Sequence, residues 1–208
     1  MRSPRPRHSF VALLLYLPLA AAMFGPWPGF VENVSAHCSG APALDMRGHW
    51  TAADARALVA ACGAGGRRAY LHLELADLVY PAAVGAVLVL VTALLLRNHR
   101  GWIWPAAAPA IAMTVLDYAE NAGIWILLLR WPSVPAAVAD TAGVATAIKH
   151  VLGFVAFSVP LLLGATLVAH RIWRSATRHR RAADSRPWPR RKSAWIQHRS
   201  RPAGGDAQ

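Results

Sequence analysis

Apolar residues in this chain are gathered into four blocks, at about residues 9–25, 78–96, 104–129 and 143–169, rather than scattered. About 20 apolar residues carry a helix across roughly 30 Å of hydrocarbon. The pattern therefore predicts an all-α polytopic membrane protein with four transmembrane helices. The stretches between the blocks are short or rich in Pro and Gly. Gly25-Pro26-Trp27-Pro28-Gly29 breaks the chain after the first block, and residues 24–50 read as a loop. Thr51-Ala-Ala-Asp54 then looks like a helix start, with Thr51 as cap and Asp54 at the positive end. Leu58, Val59 and Cys62 give that helix an apolar face, and Gly63-Ala-Gly-Gly66 ends it. At about 12 residues, it is expected to lie on the surface of the membrane in the first extracytoplasmic loop. The segment from Arg67 to Pro81 is amphipathic and leads into the second span. Trp102 and Trp104 open the third span as interfacial aromatics, and Arg130-Trp131-Pro132 closes it.

Charge orients these blocks. Residues 1–8, the turn at 97–100 and the chain beyond His170 are all basic, and the positive-inside rule puts all three on the cytosolic side. Both termini are then cytoplasmic, and the expected location is a bacterial inner membrane. The first block, with its basic start and Ala20-Ala21-Ala22, also fits a cleaved signal peptide, although a retained span is the preferred reading. Residues 170–208 are polar, basic and Pro-containing, and read as a disordered cytoplasmic tail.

The chain has 208 residues, 55% of them hydrophobic, and a formal charge of +12. In a soluble protein that charge would suggest nucleic acid. Here 11 of the 22 Lys and Arg lie beyond the last apolar block, so nucleic-acid binding is not expected. The expected partners are membrane lipids, with anionic head groups at the basic tail. The two cysteines, Cys38 and Cys62, show no zinc-site spacing. Both fall in the first loop, where either a disulfide or two free thiols is compatible with the sequence.

The candidate chemistry lies inside the spans. In Thr114-Val-Leu-Asp117-Tyr-Ala-Glu120-Asn121, three polar groups three and four apart share one helix face. An ionisable group at membrane depth costs about 2.5–3.5 kcal/mol on insertion scales, so a partner or a use is expected for each. At 1.5 Å per residue, Asp117 lies about 18 Å past Pro105, and Lys149 about 7 Å past Val144 on the fourth span. Asp77 and Tyr80 mark the start of the second span. These groups converge in the outer leaflet. Lys149 is the only basic residue within a span, and Asp117 and Glu120 are its natural partners. The candidate catalytic residues are Asp117, Glu120, Lys149 and Asp77; the candidate binding residues are Arg67, Tyr70, Tyr80, Asn121 and His150, with Arg67, Tyr70, His72 and Tyr80 at the mouth.

Three readings stay open: a polar cluster that only packs helices, an enzyme or binder acting on a lipid or amphipathic molecule from the outer side, and a proton or solute path. Asp77, Asp117, Glu120 and His150 offer acid–base or divalent-metal chemistry. There is no H-E-x-x-H, no G-x-S-x-G and no C-x-x-C, so no metal, cofactor or nucleophile is assigned. Thr146, Ser158 and Thr166 read as helix-packing hydroxyls.

The ordered set Asp45, Gly63-x-x-Gly66-Arg67-x-x-Tyr70, Asp77-x-x-Tyr80-Pro81, Asp117-x-x-Glu120-Asn121 and Lys149 resembles a group of small bacterial four-span membrane proteins. The likeness covers about residues 9–169 and leaves the basic tail outside. It implies four helices with a polar cluster in the outer leaflet, and it carries no activity with it.

Overall fold

The computed structural model describes residues 6–25 and 29–184, which form helices joined by turns and loops, with no strand among them. The helices are α1 (Pro6–Phe24), α2 (Phe30–His37), α3 (Ala52–Ala76), α4 (Tyr80–Leu95), α5 (Ile103–Leu129) and α6 (Ala136–Asp184). The chain forms two compact units, Met1–Thr166 and Leu167–Gln208. Among the described residues three segments are long and apolar enough to cross a membrane: Ala52–Leu95, which contains α3 and α4, Arg100–Leu129 and Ala136–Thr177. The block at 9–25 forms α1, which is not one of these three. In the most apolar window of α6 only 6% is buried within the chain. Val151, Phe154, Leu161 and Leu162 of that helix are exposed, as suits a surface that meets hydrocarbon rather than water.

Two apolar clusters hold the first unit. The larger joins α2, α3, the end of α5 and the start of α6 through Val34, Val59, Leu73, Ile124, Leu127 and Ala139, with Leu44 and Trp50 from the intervening loop. The smaller joins α4, α5 and α6 through Val84, Leu88, Ala110, Met113 and Ala156. Backbones approach closely at two glycines. A Cβ on Gly85 would stand 2.3 Å from Thr114 Oγ1, and one on Gly143 would stand 1.8 Å from the Trp50 carbonyl oxygen. The second contact seats the loop against α6. On the other side, Tyr80 of α4 packs on Tyr16 and Phe24 of α1, with ring centroids 6.0 and 5.4 Å apart.

The loop expected over 24–50 contains α2 and a short 3-10 turn at Leu44–Met46. An eight-residue helix is marginal alone. It forms here because Val34 is fully buried and because Cys38, its C-cap, is disulfide-bonded to Cys62 of α3. The start of α3 matches expectation. Thr51 and Asp54 make a reciprocal cap, with Thr51 N–H donating to Asp54 Oδ2 at 2.8 Å and Asp54 N–H to Thr51 Oγ1 at 3.3 Å. The helix that starts at Ala52 ends at the glycine run as expected, and a second helix follows it within the α3 range. Gly63 makes the break, at φ 60° and ψ −169°, a conformation open to glycine, and the second helix begins at once and runs to Ala76. α6 begins seven residues before the expected 143. It also continues through Asp184, so residues 170–184 are helical and not disordered; the tail beyond 184 lies outside the described residues.

Candidate functional site

Lys149 sits where the C-terminal half of α5 meets the N-terminal part of α6. Its Nζ is paired with both Asp117 Oδ1 and Glu120 Oε2. The spacing makes this possible: 117 and 120 lie one turn apart on one face. From Glu120 the network continues outward. Thr146 Oγ1, one turn before Lys149, donates to Glu120 Oε1 at 2.6 Å, with the Ala142 carbonyl as an alternative acceptor at 3.0 Å. Trp50 Nε1 of the loop donates to Thr146 Oγ1 at 2.8 Å. Trp50, Glu120 and Thr146 are each fully buried. Removing such groups from water is costly unless each finds a partner, and here each does.

A second strand of the network joins α3 to α5. Asn121 Nδ2 donates to Asp77 Oδ2 at 2.6 Å. Tyr70, Glu74 and Asp77 lie four and three residues apart, on one face of α3. The Tyr70 hydroxyl donates to Asp45 Oδ1 at 3.3 Å and accepts the Leu44 N–H at 2.7 Å, which ties the 3-10 turn to α3. Burial pushes the Asp45 carboxyl above its ordinary value, Lys149 draws it back, and Asp117 adds to the rise. Glu74 is 1% exposed, and its Oε2 has no hydrogen-bond partner; the same holds for Oδ1 of Asn121, which is 2% exposed.

Three of the expected residues, Asp117, Glu120 and Lys149, are thus joined in one cluster, and two more, Asp77 and Asn121, form a separate pair between α3 and α5. Other expected members stand elsewhere. Tyr70 is fully buried and not at a mouth. Tyr80 faces α1, because Pro81 at the start of α4 follows a break at 77–79 that turns the chain. Arg67 donates to the Val59 carbonyl at 3.4 Å and lies 5.4 Å from the Trp131 ring centre, a cation–π contact that holds it away from the acids. His150 is exposed, and its Nδ1 is 2.8 Å from the Thr146 carbonyl of its own helix. Among the described residues, no three His, Cys, Asp or Glu side chains are placed to hold a metal ion. Ser158 and Thr166 donate to carbonyls of their own helix.

Trp50 joins the Lys149 cluster, and Glu74 lies buried on the Tyr70–Asp77 face of α3, without a sequence signal. Glu74 could have been found from its spacing to Tyr70 and Asp77. Nothing local marks Trp50, whose partner is 96 residues away. Two apolar grooves lie apart from this network. One of about 370 Å³ runs between α5 and α6 along Ala122, Gly123, Val138 and Ala142, and one of about 630 Å³ runs between α1 and α4 along Leu19, Ala22, Val79 and Ala83. No protein-family model, curated protein or solved structure matches the chain.

Proposed function

We propose that the chain is a four-span protein of a bacterial inner membrane, with both termini cytosolic. In this reading the cluster around Lys149 is a brace on the non-cytosolic side, holding α3, α5, α6 and the loop at 38–50 in register. The orientation is supported by the basic stretches at 1–8, 97–100 and beyond 170. It is also supported by the Cys38–Cys62 disulfide, which suits an oxidising compartment. The 19 residues of α1 would extend about 28 Å and supply the fourth crossing. The ordered motifs from Asp45 to Lys149 tie the chain to the small bacterial four-span proteins it resembles. One observation carries the brace: the Lys149 ammonium is engaged by carboxylates on a neighbouring helix, and one of them, Glu120, is engaged again through Thr146 and Trp50.

Lys149→Met and Glu120→Gln, made separately, test this. Both are expected to lower the yield of folded, monodisperse protein in detergent. Wild-type yield and stability from both variants would overturn the brace. A second reading, an enzyme or binder for a lipid or amphipathic molecule entering from the outer side, draws support from the excess of acid. Asp45, Glu74, Asp77, Asp117 and Glu120 face a single ammonium, more negative charge than helix packing calls for. Normal folding with a lost co-purifying lipid in Lys149→Met would favour that reading.

A further inference from the structure

We propose that the groove between α5 and α6 seats one acyl chain of an anionic phospholipid of the outer leaflet, with the phosphate of that lipid on Arg130. The proposal rests on the membrane reading and its orientation, and it does not depend on the Lys149 brace.

The groove has an apolar floor and short walls. At the floor α5 and α6 approach so closely that a Cβ on Gly123 would stand 2.6 Å from the Ala142 Cβ. Beside that contact Ala119, Ala122, Ala137 and Thr141 are exposed, and their short side chains leave about 370 Å³ unfilled. That volume lies within the range of small-molecule sites, about 300–1,000 Å³. Thr141 brings the one hydroxyl to the lining, and it donates to the Ala137 carbonyl of its own helix at 2.7 Å. The groove therefore suits a hydrocarbon chain and offers nothing to a polar one. From Ala119 to Ile126 it follows α5 for about 10 Å, along the direction in which acyl chains run.

Positive charge stands at its outer end. The Arg130 N–H donates to the Ile126 carbonyl at 3.0 Å, so the helical spacing of α5 carries through residue 130. Residues 119, 123, 126 and 130 are four, three and four apart and share one face. Arg130 is exposed, one turn beyond the groove. Two more guanidinium groups reach the same connection from α3: Arg56 donates to the Val134 carbonyl at 3.3 Å, and Arg67 lies 5.4 Å from the Trp131 ring centre. Among the described residues none of the three is paired with a carboxylate. The acids nearest them in sequence, Asp54 and Asp140, accept from the backbone N–H groups of Thr51 and Ala52. An apolar groove ending in unpaired guanidinium groups is the complement of an anionic phospholipid, whose phosphate accepts from Arg while its chain lies between the helices. A second copy of the chain docked here about a two-fold axis would instead set these cations against one another.

The test uses the full chain in neutral detergent. The probes are phosphatidylglycerol and phosphatidylcholine with a photoreactive diazirine in the acyl chain. Intact mass spectrometry counts the bound lipid, and peptide mass spectrometry locates the cross-link. The expected result is one phosphatidylglycerol per chain, cross-linked within residues 119–126 or 137–145 and preferred over phosphatidylcholine by about fivefold or more. Arg130→Gln should lose the preference. Ala122→Leu, which fills the groove, should lose the cross-link, and Ala137→Leu is read in its place if that variant does not fold. Arg174→Gln, on the basic stretch beyond the spans, should change neither. Cross-links elsewhere, equal binding of the two lipids, a preference that survives Arg130→Gln, or a dimer in place of bound lipid overturns the proposal. Ser133→Cys reads the orientation separately, by labelling spheroplasts with an impermeant maleimide. Labelling supports the outer leaflet; labelling only after lysis overturns that placement together with the topology, whereas labelling with a failed lipid result overturns the groove site alone.

Discussion

Thr146→Val isolates the most informative joint in the structure. Valine has nearly the shape of threonine, so no large cavity opens, and the effect reports on hydrogen bonding. Two bonds are lost. Trp50 Nε1, fully buried, loses the only acceptor the structure gives it, at 2.8 Å, and Glu120 Oε1 loses the donor at 2.6 Å. An unsatisfied buried donor costs about 1–3 kcal/mol, and a hydrogen bond to a charged group is worth about 1.5–3 kcal/mol. Interhelical bonds in membranes average lower, about 0.6 kcal/mol, because the unfolded chain in lipid also finds partners. Glu120 also keeps Lys149. Together these place the loss at about 2–4 kcal/mol, or about 30- to 1,000-fold in the folding equilibrium. Reversible unfolding in mixed micelles, followed by tryptophan fluorescence, measures it. Thr166→Val is the control, since that hydroxyl bonds only to the Leu163 carbonyl of its own helix and should change stability by less than about 0.5 kcal/mol. A Thr146→Val loss no larger than the control would refute the reasoning, because the shared hydroxyl would then contribute nothing to holding the loop on α6.

Three further outcomes follow from the same geometry. Replacing Cys38 and Cys62 by Ser removes a cross-link of sequence separation 24 and should cost about 3 kcal/mol, read as a lower unfolding midpoint under non-reducing conditions and no change when both proteins are reduced. Gly143→Ala sets a methyl group against the Trp50 carbonyl and should destabilise by about 1–3 kcal/mol, whereas Gly164→Ala, where no atom lies within 4 Å, should be neutral or slightly stabilising in the same assay. Asp45 binds its proton more tightly in the folded state than its ordinary value of 3.8. Its contribution to stability is therefore fully present below that value and lost as pH rises through the higher folded-state value. Asp45→Asn should make the fall in stability with rising pH above that ordinary value shallower, measured from unfolding midpoints at each pH.

The long apolar helices were legible because runs of about 20 apolar residues leave few other readings. The expected block 104–129 is α5 to within one residue, and 78–96 is α4 to within two. The pairing of Lys149 with Asp117 and Glu120 was legible for a related reason: a lone ammonium within a span has few partners to choose from. The loop was not legible. α2 has no strong local signal and depends on a disulfide and on buried Val34. Tyr70 and Tyr80 look alike in sequence, ten residues apart and each beside apolar residues. The break at 77–79 sends one into the network and the other onto α1. Arg67 read as a rim residue because its charge suggested one, but Trp131, brought close by the fold, supplies a partner that spacing could not show.

The loop and the polar network need each other, and this bears on how the protein folds. Trp50 of the loop bonds to Thr146, which is fully buried with Glu120, and Asp45 meets Tyr70 from the 3-10 turn. The loop in turn has little core of its own: Leu44 and Trp50 are buried against α3, α5 and α6 rather than against each other alone. α3 begins at this junction too, with the Ala52 N–H donating to Asp140 Oδ1 of α6 at 2.8 Å. A network in low dielectric is strong when complete and costly when partly satisfied. Without the loop in place, the helices would therefore leave the same acids less completely partnered. The loop therefore belongs to the same cooperative unit as α3, α5 and α6, and the Cys38–Cys62 bond ties α2 to α3 within it.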